Sequence, residues 1–191
     1  MKVLDNYPSA TIENESAIAQ MKSVFIGRNN LPGYYDWLQG RGINVEAAEV
    51  DSALWEPVYV AWNKGDCNLI EKESQTYLSK VPNGAHEISA HFYMATCYYT
   101  TDQTKSLEHY SFVISKPNNE HYEEALQYGA QISYANGDYS TANRNYHQLE
   151  LVAASTENIS TAIKKQMWCN WKLNDYPNSI VYADKVLESL F

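Results

Sequence analysis

Apolar side chains recur along the chain at the spacing of one helical face. Between residues 18 and 25 they occupy positions 18, 21, 24 and 25, and between 107 and 114 they occupy 107, 110, 112 and 114. This spacing predicts amphipathic α-helices, and no segment keeps the apolar–polar alternation of a strand. Breaker residues leave segments of about 12 to 17 residues between them. The pattern therefore predicts a series of consecutive helices.

A turn signature recurs with a nearly constant period. Four aspartates follow one another at intervals of 36, 36 and 37 residues: Asp66, Asp102, Asp138 and Asp175. Gly or Asn precedes three of them, and such a residue ends a helix in the left-handed conformation. Asp then caps the free N–H groups of the next helix. A second breaker, as at Pro82 and Pro117, lies between these turns. The pattern predicts helix pairs, with a tight turn within each pair and a looser turn between pairs.

The clearest repeat resembles the tetratricopeptide repeat (TPR) family. Ala130 stands at the small position of the first helix, Gly137 to Tyr139 form the turn, and Ala142 is the small position of the second helix. The resemblance implies an all-α fold, a right-handed α–α superhelix (a TPR-like solenoid) of about five helix pairs. The texture of the turns looks closest to divergent TPR proteins of Bacteroidetes.

We expect a single TPR-like domain over residues 1–191, with approximate repeats at 10–48, 49–83, 84–118, 119–155 and 156–191. Residues 1–9 are expected to end a preceding repeat, because Lys2-Val3-Leu4 matches the triplet Lys185-Val186-Leu187. The chain is interpreted as a segment of a longer protein, or as an array that self-associates through uncapped ends. Pro57 is expected to kink or shorten its helix. Residues 40–45 are expected to form a loop.

Charge and composition narrow the function classes. The net charge is −9 and no Lys/Arg run is present, which argues against nucleic acid and anionic membranes as partners. The apolar runs are too short to span a bilayer, so direct membrane insertion is not expected. Sixteen Tyr and five Trp stand beside only four Phe. Such amphipathic rings suit partly solvated surfaces, both between helices and in binding grooves.

Catalytic and metal-binding patterns are missing from the sequence. No nucleophile motif or phosphate-binding glycine loop occurs, and we expect neither an enzyme nor a cofactor. His86 and His91 lie five residues apart, about 140° round a helix, so metal binding is not expected and a surface or inter-helix role is. The other histidines are interpreted as surface positions: His109, His121 and His147. The three cysteines lack metal or redox spacing and are interpreted as small buried hydrophobic residues: Cys67, Cys97 and Cys169.

The resemblance also implies where a partner binds, because the first helices of TPR pairs line the concave face. Mapped onto this chain, the face contains eleven residues: Trp55, Tyr59, Trp62, Phe92, Tyr99, Gln127, Gln131, Tyr134, Lys164, Trp168 and Trp171. Independently of the resemblance, residues 55, 59 and 62 lie on one side of their helix, and residues 164, 168 and 171 lie on one side of theirs. Packing between neighbouring helices is the alternative explanation for each aromatic residue.

These patterns predict a scaffold that binds a partner peptide or helix on an aromatic-rich concave face. The alternative is a carbohydrate-binding module that uses exposed Trp and Tyr platforms. Family resemblance favours the periplasm or cell envelope for the full-length protein. The odd number of cysteines favours the cytoplasm as the alternative.

Overall fold

The computed structural model describes residues 11–28, 30–43 and 47–188, with side chains described from residue 16 onward except at residue 47. Within these ranges the regular secondary structure is entirely helical. The helices are α1 (Thr11–Gly27), α2 (Leu31–Gln39), α3 (Ala47–Lys64), α4 (Cys67–Lys80), α5 (Glu87–Tyr98), α6 (Gln103–Ile114), α7 (Tyr122–Ala135), α8 (Tyr139–Val152), α9 (Thr156–Lys172) and α10 (Tyr176–Glu188). Two compact units divide between Ala85 and His86, and we call them unit 1 and unit 2. The predicted end of a preceding repeat at residues 1–9 lies outside the described residues.

Unit 1 contains α1 to α4, each packed on the next. A buried carboxylate organises its interior. Asp51 on α3 accepts a hydrogen bond from the Tyr77 hydroxyl on α4 (2.7 Å) and another from the backbone N–H of Ala85 (2.6 Å). Two partners satisfy a group that is otherwise costly to bury. Asp51 therefore connects α3 to α4 and to the turn that follows α4.

Pro57 was expected to kink or shorten its helix, and the shortening does not occur. Helix α3 is continuous from Ala47 to Lys64. Proline removes one i→i−4 hydrogen bond, while Leu54 and Val58 remain buried on either side of it, at 4% and 0% exposure. The packing of Leu54 and Val58 offsets the lost hydrogen bond. A kink of α3 at Pro57 stays a prediction. The predicted loop is confirmed at residues 40–43, of which 40–42 form turns, and its remainder lies outside the described residues.

Unit 2 contains α5 to α10, again with each helix packed on the next. Its core joins α7, α8 and α9 through seven buried residues: Leu126, Ala130, Ala142, Tyr146, Leu149, Ala162 and Cys169. Ala130 and Ala142, the two small positions identified in the sequence, are both fully buried. Small side chains there let the backbones of paired helices approach closely.

The turns within the helix pairs follow the predicted chemistry at three of four positions. Gly65, Gly137 and Asn174 have positive φ angles of 66°, 80° and 60°. In each case the next N–H bonds back to the carbonyl five residues earlier, as from Asp138 to Ser133 at 2.9 Å. This pattern is the Schellman ending of a helix. The Asp carboxylate then accepts from the N–H three residues on, as from Thr141 to Asp138 at 3.0 Å.

The turn at Asp102 differs. The Asp102 N–H bonds to the Tyr98 carbonyl at 2.8 Å, and no positive φ is found in this turn. The N-cap persists, since Lys105 donates its N–H to the Asp102 carboxylate (3.1 Å). Thr101 stands where the other turns have Gly or Asn, so the left-handed ending is disfavoured there.

The cysteine interpretation holds at Cys169, is wrong at Cys67 and holds only in part at Cys97. Cys169 is fully buried as a free thiol, and burial raises the pKa of its thiol to about 11. Cys67 is exposed and Cys97 is half-buried.

No helix within the described ranges is long and apolar enough to cross a membrane.

Candidate partner-binding face

The candidate site lies along α5, α7 and α9, the first helices of the pairs in unit 2. We call it the unit 2 face and define it by seven residues: Tyr99, Gln127, Gln131, Tyr134, Lys164, Trp168 and Trp171. Lys164, Trp168 and Trp171 are exposed, and the other four are half-buried. Side chains at i, i+4 and i+7 share one side of a helix, so each helix presents its members together.

Tyr99 connects α5 to α7. Its hydroxyl donates to the Gln131 side-chain oxygen at 2.8 Å, and its ring meets Tyr128 edge to face at 5.0 Å between centroids. Tyr128 in turn stacks on the buried Tyr110 at 5.8 Å. These contacts hold both Tyr99 and Gln131 in defined orientations, which lowers the entropy that a partner would have to remove on binding.

Tyr134 and Lys165 connect α7 to α9. The Lys165 ammonium lies 5.3 Å from the Tyr134 ring centroid, and Tyr139 packs edge to face on the same ring at 5.2 Å. Burial, followed by the nearby Cys169 and Tyr139, raises the pKa of Tyr134. Its hydroxyl therefore stays protonated at neutral pH. The result is an aromatic surface bordered by a lysine.

Trp168 and Trp171 form the most exposed part of this face. Their rings pack edge to face, with 6.1 Å between centroids and 85° between planes. Each residue nevertheless leaves about half its surface in water, 48% for Trp168 and 49% for Trp171. The Lys172 ammonium lies 5.2 Å from the Trp171 ring. Two adjacent half-exposed tryptophans resemble the anchors of protein interfaces more than core packing.

The opposite end of α7 and α9 is acidic. Glu120, Glu123 and Glu124 line an open cleft of about 340 Å³ that also includes Gln127. Glu123 accepts from the Asn158 side chain at 2.6 Å and from the Ala154 N–H at 3.1 Å. Burial raises the pKa of Glu124. The unit 2 face thus begins beside carboxylates.

The two helices run in the same direction. Glu123 meets Asn158 near the starts of α7 and α9, and Tyr134 meets Lys165 further along both. From Glu124 to Tyr134 the helix rises about 15 Å. The face is therefore bipolar, with carboxylates at one end and aromatic rings with lysines at the other.

Phe92 was predicted to belong to this face, and the structure contradicts that assignment. It is only 3% exposed. Its ring stacks on His121 at 4.1 Å and meets Tyr110 edge to face at 6.1 Å. The predicted stripe on α5 runs from the buried Phe92 to the accessible Tyr99, because α5 is covered over much of its length.

The three predicted residues of unit 1 lie on α3 and differ in exposure. Tyr59 is 46% exposed, whereas Trp55 and Trp62 are half-buried. The Trp55 ring packs edge to face on the buried Tyr77 of α4, at 5.6 Å. Inter-helix packing therefore accounts for part of the Trp55 surface, as the alternative explanation expected.

Two of the histidines in unit 2 form an inter-helix pair. The Nδ1 atoms of His91 and His109 are 2.9 Å apart, and His91 stacks on Phe112 at 3.9 Å. Burial, then the neighbouring His109, lowers the pKa of His91 to about 4. A neutral His91 can share one proton across this contact. No group of three or more potential metal ligands occurs among the described residues.

His121 is not the surface residue that was expected. It is half-buried, stacks on Phe92 and lies 3.2 Å from the Ser89 hydroxyl. Burial lowers its pKa, with Glu120 acting in the opposite direction. An aromatic partner distant in sequence decides this burial, so the spacing of histidines could not predict it.

Two contributors to the face were missed from the sequence. Lys165 directly follows the predicted Lys164, and a stripe 100° wide would have included both. Tyr128 lies outside the 127/131/134 set and meets Tyr99 and Tyr110 from two other helices. No local pattern indicates that meeting.

Comparison with known proteins supports the fold. No protein-family profile matches the chain. No curated protein sequence is similar to it. Among solved structures it is similar to the MamA protein, a TPR-like protein, with a TM-score of 0.53 and 14% sequence identity over 90% of this chain and 87% of that one. The predicted all-α, TPR-like fold is therefore confirmed.

Proposed function

We propose that this chain is a non-catalytic scaffold that binds a peptide or helix of another protein on the unit 2 face. The observation that supports this proposal most is the exposed Trp168–Trp171 pair, which lies beside lysines and the oriented Tyr134. Helical-repeat proteins use extended surfaces of this kind for binding. Trp55, Tyr59 and Trp62 on α3 of unit 1 stay predicted partner-binding residues, and the single domain with the five repeats delimited above stays a prediction.

Charge specifies the partner further. A segment with a basic residue near Glu124 and an acidic or aromatic residue near Lys165 and Trp168 would complement both ends of the face. About 15 Å of helix separates these ends, which an extended peptide spans with about five residues. A uniformly basic or uniformly acidic segment would meet repulsion at one end.

We propose the periplasm or cell envelope as the compartment of the full-length protein, because the texture of its turns resembles that of exported TPR proteins.

Selection from a random peptide library, followed by titration of the enriched peptides against the purified chain, tests the binding role. The double variant Trp168→Ala/Trp171→Ala should weaken these peptides by about 30-fold, the loss typical of removing an interface anchor. Tyr176→Ala is the matched control, because it removes an aromatic residue that is 52% exposed on α10. Equal binding by the double variant and the native chain would place the site elsewhere.

The carbohydrate alternative makes a different prediction for the same variants. If Trp168 and Trp171 are sugar platforms, soluble oligosaccharides should shift the tryptophan emission of the native chain and not that of the double variant. Library selection would then enrich no peptide. This result would replace the protein-binding proposal.

A further inference from the structure

A second cleft in unit 2 has walls of a different chemistry. It lies among α8, α9 and α10 and encloses about 310 Å³. All its lining side chains carry polar groups, and four are amides: Asn143, Gln166, Asn170 and Asn178. Its volume is at the lower end of the range for small-molecule sites, about 300 to 1,000 Å³.

The corresponding positions of the preceding repeat carry different residues. Counting from the turn aspartates, Gln166 and Asn170 correspond to Gly129 and Ser133, and Asn143 corresponds to Leu107. There the side chain of Ile114 covers Gly129, where an added Cβ would lie 3.0 Å from its terminal methyl carbon. Small and aliphatic residues thus occupy these positions in the preceding repeat, and amides occupy them in the last.

Two of the four amides are buried, and a third has a side-chain oxygen without a hydrogen-bond partner. Gln166 and Asn170 are 1% and 4% exposed, and Gln166 donates to Glu150 at 2.6 Å. Asn143 donates to the Asn170 side-chain oxygen at 3.1 Å, whereas its own side-chain oxygen is buried without a hydrogen-bond partner. An unpaired buried acceptor is unfavourable and calls for a donor.

We propose that this cleft binds a small carbohydrate, a mono- or disaccharide. Each amide offers a donor and an acceptor side by side, which matches the paired hydroxyls of a sugar ring. Tyr182 also lines the wall, and the Lys185 ammonium lies 4.6 Å from its ring centroid. A peptide is a poorer fit, because peptide grooves supply apolar pockets for alternate side chains and none of these walls is aliphatic.

This site is independent of the proposed protein-binding face. Gln166 and Trp168 are two residues apart on α9, so their side chains point about 200° apart round the helix. Asn170 and Trp168 are separated in the same way. Loss of binding at one side of α9 therefore leaves the other side intact.

Side-chain amide signals in ¹⁵N-resolved NMR provide a direct test on the whole chain. Glucose, N-acetylglucosamine and glucuronate are titrated separately to about 50 mM, which covers the weak affinities expected of small sugars. At least one should give saturable shifts at Asn143, Asn170 and Asn178. A preference for glucuronate would assign its carboxylate to Arg144, which also lines the cleft.

The discriminating variant is Asn143→Leu, which introduces the residue of the preceding repeat. It should weaken binding at least about tenfold, the effect of losing one well-formed hydrogen bond. If Asn143→Leu fails to fold, Asn178→Ala at an exposed position of the cleft replaces it and should also weaken sugar binding. Asn68→Leu, an exposed amide on α4, is the control and should bind like the native chain.

Two results would overturn the proposal. Absence of saturable shifts with all three sugars would show a cleft that holds only water. Shifts confined to the tryptophan indole signals, or unchanged in both cleft variants, would place the sugar outside the cleft. A chain that binds peptides but no sugar would leave the protein-binding function standing and remove only this inference.

Discussion

The two last helix pairs of unit 2 have the same turn geometry and very different interiors. In the pair α7–α8, six residues of α7 and four of α8 are buried. In the pair α9–α10, four residues of α9 are buried and none of α10. Apolar side chains of α10 face water instead, with Ile180 at 62% and Leu187 at 57% exposure. Burial in a repeat array therefore depends on neighbours as well as on the residue pattern.

The physical reason is the one-dimensional nature of helical repeats. Helix α8 packs between α7 and α9, whereas α10 packs on α9 alone among the described elements with substantial contacts. Stability in such arrays is roughly a sum of contributions from each repeat and from each interface. A helix with one interface has about half the packing of a helix with two.

Polar contacts contribute much of what holds α10 in place. The Lys185 ammonium lies 2.8 Å from a Glu150 carboxylate oxygen on α8, and the Ser179 hydroxyl donates to the Met167 carbonyl on α9 at 3.1 Å. These bonds are worth less than a closed apolar core. We therefore expect α10 to open before α7–α8 unfolds.

The largest difference should come from truncating matched leucines in the two pairs. Leu149→Ala on α8 removes a side chain with 0% exposure and should lower the free energy of unfolding by about 2 to 5 kcal/mol. Leu187→Ala on α10 should change it by less than about 0.5 kcal/mol. Urea denaturation followed by circular dichroism measures both. Equal losses would mean that α10 is covered in solution.

Acid should loosen α10 through Glu150. Burial alone would raise the pKa of Glu150, but hydrogen bonds from Lys185 and Gln166 outweigh it, and the pKa lies below its ordinary value. A carboxylate with a lowered folded-state pKa stabilises the fold above its unfolded pKa of about 4.5, and this stability is lost as the pH falls through the folded value. The opening of α10, measured by hydrogen exchange corrected for the intrinsic pH dependence of amide exchange, should therefore increase by a few-fold below about pH 4.5.

Glu150→Gln separates this effect from general acid destabilisation. The variant should exchange faster in α10 at pH 7 and lose most of the additional acceleration in acid, while α7 amides behave as in the native chain. The same pH response in native and variant chains would assign the acid effect to another group.

The smallest difference should come from the two matching turns. Gly137→Ala places a Cβ at a φ of 80° and should cost about 1 to 2 kcal/mol of global stability, because α8 belongs to the core. Asn174→Ala, at a φ of 60°, should cost about 1 kcal/mol or less and act mainly on α10. Thermal denaturation reports the first and local hydrogen exchange the second. A global loss from Asn174→Ala would show that α10 unfolds together with α7–α8.

Local chemistry made the helices and the turns within pairs predictable. Gly137 and Asp138 act within a few residues of themselves, and the burial of Ala130 and Ala142 follows from the close approach of paired helices. The candidate face was only partly predictable. The predicted residues 164, 168 and 171 are accessible. The same assignment of first-helix residues to the face wrongly included Phe92, which His121 and Tyr110 cover from other helices.

By itself, the amino-acid sequence determined the all-helical class, the period and the capped turns of this protein, because these depend on contacts between residues close in the chain. Only the tertiary structure decided that Phe92 is buried and that Trp168 and Trp171 remain half-exposed. It also brought together Asn143 and Asn170, which are 27 residues apart in the chain, in one amide-lined cleft. Such features depend on which helices pack side by side, and a one-dimensional pattern does not specify which of its faces a neighbour will cover.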